Sequence, residues 1–116
     1  KRNRNLILWR ETSSVPISGA SAWLETHCVE LHHHVALDNA GDIERVARFA
    51  AGRALGAVFG GGGALGCGHL GLVRAFRDAG VGFDLFGGTS AGAAMAMALA
   101  TGHPPEDAMD RIEEIS

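Results

Sequence analysis

The fold of this chain is decided by one stretch, AVFGGGGALG at residues 57–66, together with GGTSAG at residues 87–92. A short apolar run that ends in glycines is typical of a strand leading into a tight turn, and a helical pattern follows it. The second apolar run ends in a turn where glycines flank Ser90 on both sides. The order therefore predicts a strand, an anion-accepting turn, a helix, a second strand and a nucleophile turn.

Strands and helices alternate on both sides of this stretch. The sequence predicts strands at 6–9, within 28–37, at 55–59 and at 81–86. It predicts helices around Trp23 with Ser18 or Ser21 as the cap, at 43–50, 70–80 and 90–99, and from Pro105 onward. This alternation indicates an α/β fold built of right-handed strand–helix–strand units, with a parallel sheet covered on both faces. Ligands of such sheets bind beyond the carboxyl ends of the strands, so we expect the two glycine turns to face each other.

Composition limits the functions that the chain can have. With 116 residues, a formal net charge of −3 and 47% hydrophobic residues, it has no overall positive field, so we expect no nucleic-acid partner. The longest apolar run, at 91–100, is about half the length of a membrane helix. The N-terminal residues lack the pattern of a signal peptide, and two cysteines do not indicate a disulfide framework. We therefore expect a protein that is cytoplasmic or peripheral at a membrane, without a transmembrane segment or signal peptide in these residues.

The motif Gly88-Thr89-Ser90-Ala91-Gly92 matches the GxSxG pattern of serine hydrolases. A sharp turn between strand and helix exposes the serine hydroxyl, and the helix N-terminus offers amide donors to a developing negative charge. The simpler interpretation is that Ser90 only caps a helix in a glycine turn.

The glycine run at 60–63 presents backbone N–H groups to an anion, which could be a phosphate, a dinucleotide pyrophosphate or the oxyanion of a tetrahedral intermediate. A Walker loop would need Lys followed by Ser or Thr where this chain has Cys67 and Gly68. The dinucleotide fingerprint GxGxxG is matched at 61–66, but it needs an acidic residue at the far end of the next strand, and Asp84 lies near the start. An oxyanion hole beside a nucleophile explains both motifs.

The paired motifs, about twenty residues apart, resemble the patatin-like phospholipase family, and more closely its neuropathy target esterase-like branch. The segments that carry the closer resemblance are 22–24, 32–35, 45–49, 52–54, 60–64, 69–71 and 79–81. The resemblance implies the N-terminal portion of a three-layer, parallel-sheet patatin-like fold, with residues 1–54 as an N-terminal extension and 55–116 as the first part of the catalytic core. It also implies a lysophospholipase, phospholipase or carboxylesterase that uses a Ser–Asp dyad and no cofactor.

The resemblance assigns a role to each site residue. Ser90 is the nucleophile, Gly61, Gly62 and Gly63 line the oxyanion hole, and Gly66, Gly88 and Gly92 complete the motifs. The implied partners are a lysophospholipid or phospholipid substrate, a peripheral membrane contact, and the remainder of the catalytic domain beyond Ser116.

Two positions depart from the family pattern. Leu65 stands where the family usually has Arg or Lys, and the Asp-Gly pair that supplies the catalytic aspartate does not occur in this sequence. Because an unassisted serine is a weak nucleophile, we expect these 116 residues alone to hydrolyse little or nothing. Two alternatives stay open: a nucleotide- or phosphate-binding α/β module and a non-catalytic patatin-like member.

Several other residues could suggest chemistry. In a strand His32 and His34 share a face, but no further ligand stands at a helpful spacing, so we predict a structural or surface role and no metal site. We predict that His69, in the helix after the first motif, has a helix-packing or hydrogen-bonding role and does not serve as a base for Ser90.

Overall fold

The computed structural model describes residues 4–104 and residue 107. The chain divides between Arg53 and Ala54 into two compact units, which are described separately here. Apart from Asp107, the helix predicted from Pro105 onward lies outside the described residues.

The first unit is a strand–helix–strand unit followed by a second helix. It contains strand β1 (Asn5–Arg10), helix α1 (Ala20–Thr26), strand β2 (Leu31–Ala36) and helix α2 (Ala40–Ala50). The two strands are parallel, with Asn5 opposite Leu31 and Arg10 opposite Ala36. The predicted alternation is confirmed here, and α2 begins where Asn39 caps it by accepting a hydrogen bond from the Gly41 N–H at 3.0 Å.

Two details of the first unit differ from the sequence-based expectations. Helix α1 starts after Gly19, whose φ is 77°, and no side chain caps it, so the prediction of Ser18 or Ser21 as the cap was wrong. Strand β1 alternates half-buried and exposed residues, and Trp9 is 64% exposed. A four-residue apolar run suggested burial on both faces, whereas this strand buries only one face.

The second unit repeats the same order with tighter turns. Strand β3 (Gly56–Phe59) leads through a short 3-10 helix (Gly63–Cys67) into helix α3 (Gly68–Asp78), and strand β4 (Leu85–Gly88) leads into helix α4 (Ala91–Ala100). Strands β3 and β4 are parallel, with Phe59 opposite Gly88. In the described residues the four strands thus pair as two separate two-stranded parallel sheets, whereas the sequence predicted one sheet.

The strand predicted at 81–86 is displaced toward the C-terminus. The Val81 N–H donates to the Phe76 carbonyl at 2.9 Å, which closes the end of α3, and the Phe83 ring packs against Phe76 with 5.4 Å between ring centroids. Hence Val81 and Phe83 cover the helix end, and pairing with β3 begins only at Leu85.

The core of the second unit lies between α4 and the two strands. Its buried residues are Phe59, Val73, Met95, Ala96, Ala98 and Leu99. Half of the residues of α4 are buried, and Met97 on its other face is 52% exposed. Within the described ranges, no helix is both long enough and apolar enough to cross a membrane.

Candidate active site

Ser90 occupies the turn between β4 and α4. Its backbone has φ 55° and ψ −127°, and among the described residues it alone has a positive φ without being glycine. Such a conformation costs about 1–3 kcal/mol and is found mainly at functional sites. The Ser90 side chain makes no capping hydrogen bond to α4, and the residue is exposed. Ser90 thus stands at the N-cap position of α4, where its carbonyl accepts from the Ala93 N–H at 2.9 Å, but its side chain does not cap the helix.

Two glycines let the backbone close tightly around this turn. A Cβ on Gly92 would overlap the Phe59 carbonyl oxygen and lie 2.6 Å from that of Gly60. A Cβ on Gly88 would overlap the carbonyl oxygen of Gly92. The Thr89 N–H also donates to the Phe59 carbonyl at 3.1 Å. The first turn of α4 therefore rests directly on the end of β3, with backbone against backbone.

This packing brings the two glycine motifs together. A Cβ built on Gly61 would lie 3.3 Å from Ser90 Cβ and 3.9 Å from Ser90 Oγ, and one on Gly66 would lie 3.2 Å from Ala91 Cβ. The prediction that the two turns face each other is confirmed. Gly62 and Gly63 are exposed, with φ of 154° and 56°, and a Cβ on Gly63 would meet nothing within 4 Å. Of the predicted oxyanion-hole glycines, Gly61 thus lies next to Ser90, and Gly63 faces open space.

His69 joins the same turn from α3. Its Nε2 lies 3.0 Å from the Gly60 carbonyl oxygen, and its ring packs against Phe59 with 5.3 Å between centroids. Since a carbonyl only accepts, the ring nitrogen is the donor. The prediction of a hydrogen-bonding role is confirmed, but the sequence did not show that the acceptor belongs to the glycine run.

Comparison with known proteins identifies the family. The model of the family described as patatin-like phospholipase matches residues 57–116, the stretch that contains both turns. The chain belongs to the patatin-like phospholipase family. Its relatives include lysophospholipase nte1 of Emericella nidulans, 53% identical over 46% of this chain, and lysophospholipase NTE1 of Yarrowia lipolytica, 48% identical over 47%. Neuropathy target esterase sws of Drosophila persimilis is 31% identical over 78% of this chain.

These relatives place the chain on the neuropathy target esterase branch of the patatin-like family. The chain spans only 4% of the length of the Emericella and Yarrowia proteins and 8% of the Drosophila protein. No solved structure matches the chain.

Four aspartates of the described residues have hydrogen-bond or ion-pair partners of their own. Asp38 accepts hydrogen bonds from Ser13, and Asp42 accepts from the Ala36 N–H and from Arg45. Asp78 lies beside Arg74 and Arg77 on the surface of α3. Asp84 accepts from the Leu55 N–H at 3.3 Å, just before β4. That position also leaves the far end of β4 without the acidic residue that a dinucleotide-binding fold would need.

The histidine triplet lies in the first unit, on β2. The rings of His32 and His34 meet edge to face with 5.3 Å between centroids, so they share a face as predicted. His33 is buried against Phe49, and burial lowers its pKa, with Arg45 and His32 adding to the effect. Across the described ranges, no three His, Cys, Asp or Glu side chains are grouped so that they could hold a metal ion.

Proposed function

We propose that this chain carries the nucleophile and the oxyanion hole of a lipid ester hydrolase, with Ser90 as nucleophile and Gly61, Gly62 and Gly63 as the glycines that line the hole. The observation that carries the proposal is the strained turn of Ser90 lying against Gly61. A strained, exposed serine at the start of a helix is the arrangement used for acyl transfer, because the hydroxyl is accessible and backbone amides lie beside it.

The chemistry follows from this arrangement. Ser90 Oγ attacks the ester carbonyl carbon, a C–O bond forms, and the hydroxyl proton passes to a carboxylate. The carbonyl oxygen becomes an oxyanion, which the N–H groups of the glycine run stabilise. Collapse of the tetrahedral intermediate breaks the ester C–O bond, and the leaving alcohol takes the proton back. Water then hydrolyses the acyl-serine by the same steps and releases a fatty acid.

We infer that the carboxylate is an aspartate elsewhere in the full-length protein. Support comes from Asp38, Asp42, Asp78 and Asp84, each of which has other partners in the structure. An activated serine needs a base within hydrogen-bond reach, which the proposed aspartate would supply.

The substrate class rests on the relatives. Two of them are named lysophospholipases, and a family of phospholipases acts at lipid surfaces, so we propose a lysophospholipid or phospholipid substrate met by peripheral contact with a membrane. We also propose that residues 1–54 form an extension of the patatin-like domain and 55–116 the first part of a three-layer core.

Replacing Ser90 tests the nucleophile. In the full-length protein, Ser90→Ala should lower hydrolysis of lysophospholipid and of short-chain nitrophenyl esters by at least about a thousandfold, because the attacking atom is lost. Labelling by a fluorophosphonate probe should disappear in parallel. The matched control is Ser21→Ala, which removes an exposed hydroxyl on α1 and should leave both readouts unchanged.

A second variant at the same position tests whether the positive φ of Ser90 strains the backbone. Ser90→Gly should also be inactive. Its free energy of unfolding should nevertheless be about 1 kcal/mol higher than that of Ser90→Ala, because glycine tolerates the positive φ. Undiminished hydrolysis by Ser90→Ala would refute the proposal. An unmodified wild-type protein after probe treatment would favour the non-catalytic alternative.

A further inference from the structure

The peptide bond between Gly60 and Gly61 is held from one side by His69. The ring Nε2 donates to the Gly60 carbonyl at 3.0 Å, and the ring itself is fixed against Phe59, which is 4% exposed. The same carbonyl oxygen lies close to the Cα of Gly92, where a Cβ would stand 2.6 Å away. The Gly60 carbonyl is therefore confined between the His69 ring and the start of α4.

Fixing that carbonyl also fixes the Gly61 N–H. The described peptide bonds are all trans, and in a trans peptide the C=O and N–H point in opposite directions. A peptide between two glycines can rotate with little steric resistance, because neither neighbour has a Cβ. The hydrogen bond from His69 favours one of the orientations that the glycines would otherwise permit.

The orientation matters because Gly61 lies next to Ser90. A Cβ on Gly61 would lie 3.3 Å from Ser90 Cβ and 3.9 Å from Ser90 Oγ, and from this proximity we infer that the Gly61 amide lines the space where the ester carbonyl would sit. An oxyanion hole is effective only when its donors are already aimed at the developing charge. A Gly61 amide that rotates freely would have to be ordered during the reaction.

We propose that His69 is a positioning residue of the oxyanion hole, which sets the direction of the Gly61 amide through the Gly60 carbonyl. The inference rests on the proposed hydrolase function and adds a residue to its machinery. His69 touches neither substrate nor reacting atoms in this role. Because both the imidazolium and the neutral tautomer protonated at Nε2 can donate this hydrogen bond, the role does not require proton transfer.

The test compares two variants in the full-length protein. His69→Phe keeps a ring against Phe59 but donates no hydrogen bond, whereas the His69→Gln amide reaches about as far as the imidazole Nε2 and still donates. For His69→Phe we expect kcat on lysophospholipid to fall about ten- to a hundredfold, less than for loss of a whole oxyanion donor, with KM nearly unchanged. For His69→Gln we expect kcat within about threefold of wild type, since the donor is retained.

A transition-state analogue separates positioning from general damage. A trifluoromethyl ketone forms a tetrahedral oxyanion adduct with a serine nucleophile, so its affinity should fall in His69→Phe by the same factor as kcat/KM. Thermal unfolding of each variant reports on the fold. If His69→Phe does not fold, His69→Asn is the second variant without a donor at this distance, since its amide is too short to reach the Gly60 carbonyl.

The outcomes distinguish this inference from the proposed function. Hydrolysis that depends on Ser90 but is unchanged in a folded His69→Phe or His69→Asn variant overturns the positioning role alone. Equal loss in His69→Gln and His69→Phe, with an altered pH profile, overturns it in favour of a base. Activity that survives Ser90→Ala removes the hydrolase function and the positioning role together.

Discussion

The two units are both built of parallel strands joined by a helix, yet their strand ends are stabilised in different ways. In the first unit, charged side chains occupy the carboxyl end of β2. Asp42 accepts from the Ala36 N–H at 3.0 Å, and Arg45 donates both to Asp42 and to the His34 carbonyl. In the second unit, backbone groups stabilise the carboxyl end of β3: the Thr89 N–H donates to the Phe59 carbonyl, and Gly92 packs against the same carbonyl. We call this the glycine-supported end and the end of β2 the charged end.

We expect this difference to influence which strand end can bind a ligand. Side chains that satisfy the backbone also fill the space beyond the strands. Where glycines replace them, backbone packs directly against backbone, as the first turn of α4 does on the end of β3. The strained Ser90 stands at the glycine-supported end, where the proposed ester substrate would bind.

The largest effect is expected from a substitution that disrupts the packing at the glycine-supported end. Gly92→Ala places a methyl group on the Phe59 and Gly60 carbonyls, so the free energy of unfolding should fall by about 3 kcal/mol or more. The measurement is thermal and urea unfolding together with soluble yield.

Gly71→Ala is the matched control for this substitution. Gly71 lies within α3, and a Cβ there would meet nothing within 4 Å. This variant should be neutral or stabilised by up to about 1 kcal/mol, because alanine is the better helix former. A Gly92→Ala protein as stable as Gly71→Ala would show that α4 can move away from β3 at little cost.

A smaller effect is expected from the charged end. Hydrogen bonding from the Ala36 N–H lowers the pKa of Asp42, Arg45 lowers it further, and burial opposes them. Asp42→Asn should therefore reduce the free energy of unfolding at pH 7 by about 1–2 kcal/mol, the scale of a charge-assisted hydrogen bond. Because the folded pKa is depressed, the stabilisation is present above the ordinary value of 3.8 and is lost as the pH falls through the folded value.

Urea unfolding at pH 7 and at pH values down to 2 checks this expectation, since the two proteins should converge in acid. Asp78→Asn serves as the control, because Asp78 is 64% exposed beside Arg74 and should change stability little. A constant gap between wild type and Asp42→Asn at every pH would contradict a role for the charge.

The sequence indicated the glycine-supported end better than the charged one. Glycine, serine and alanine at fixed spacing leave few alternatives to a strand, a tight turn and a helix, so both turns and their contact could be predicted. The hydrogen bond of His69 could not, because its acceptor is a backbone carbonyl nine residues earlier whose direction depends on the turn. The start of β4 was missed for a related reason, since Val81 and Phe83 look like strand residues but pack at the end of α3.

The smallest expected effect concerns a buried polar atom at the charged end. His33 is 7% exposed, and within the described residues its Nε2 has no hydrogen-bond partner. Burial lowers its pKa, and the nearby Arg45 and His32 act in the same direction. The folded state therefore favours the neutral form of the His33 ring. Its contribution is complete above the ordinary value of 6.5 and is lost as the pH falls from there toward the folded pKa.

Replacing His33 removes both the unpartnered atom and the titration. His33→Leu should be within about 1 kcal/mol of wild type at pH 7, since a lost aromatic contact with Phe49 offsets the gain from removing a buried polar group. Between pH 7 and pH 5 the wild type should lose stability and the variant should lose less, as measured by urea unfolding at each pH. His32→Leu, which removes an exposed ring that adds to the lowering of the His33 pKa, should reduce the wild-type slope by less than His33→Leu does. If the free energy of unfolding falls equally with pH in His33→Leu and wild type, other groups than His33 cause the loss of stability in acid. The side chains at this strand end would then contribute to stability through packing and hydrogen bonds alone.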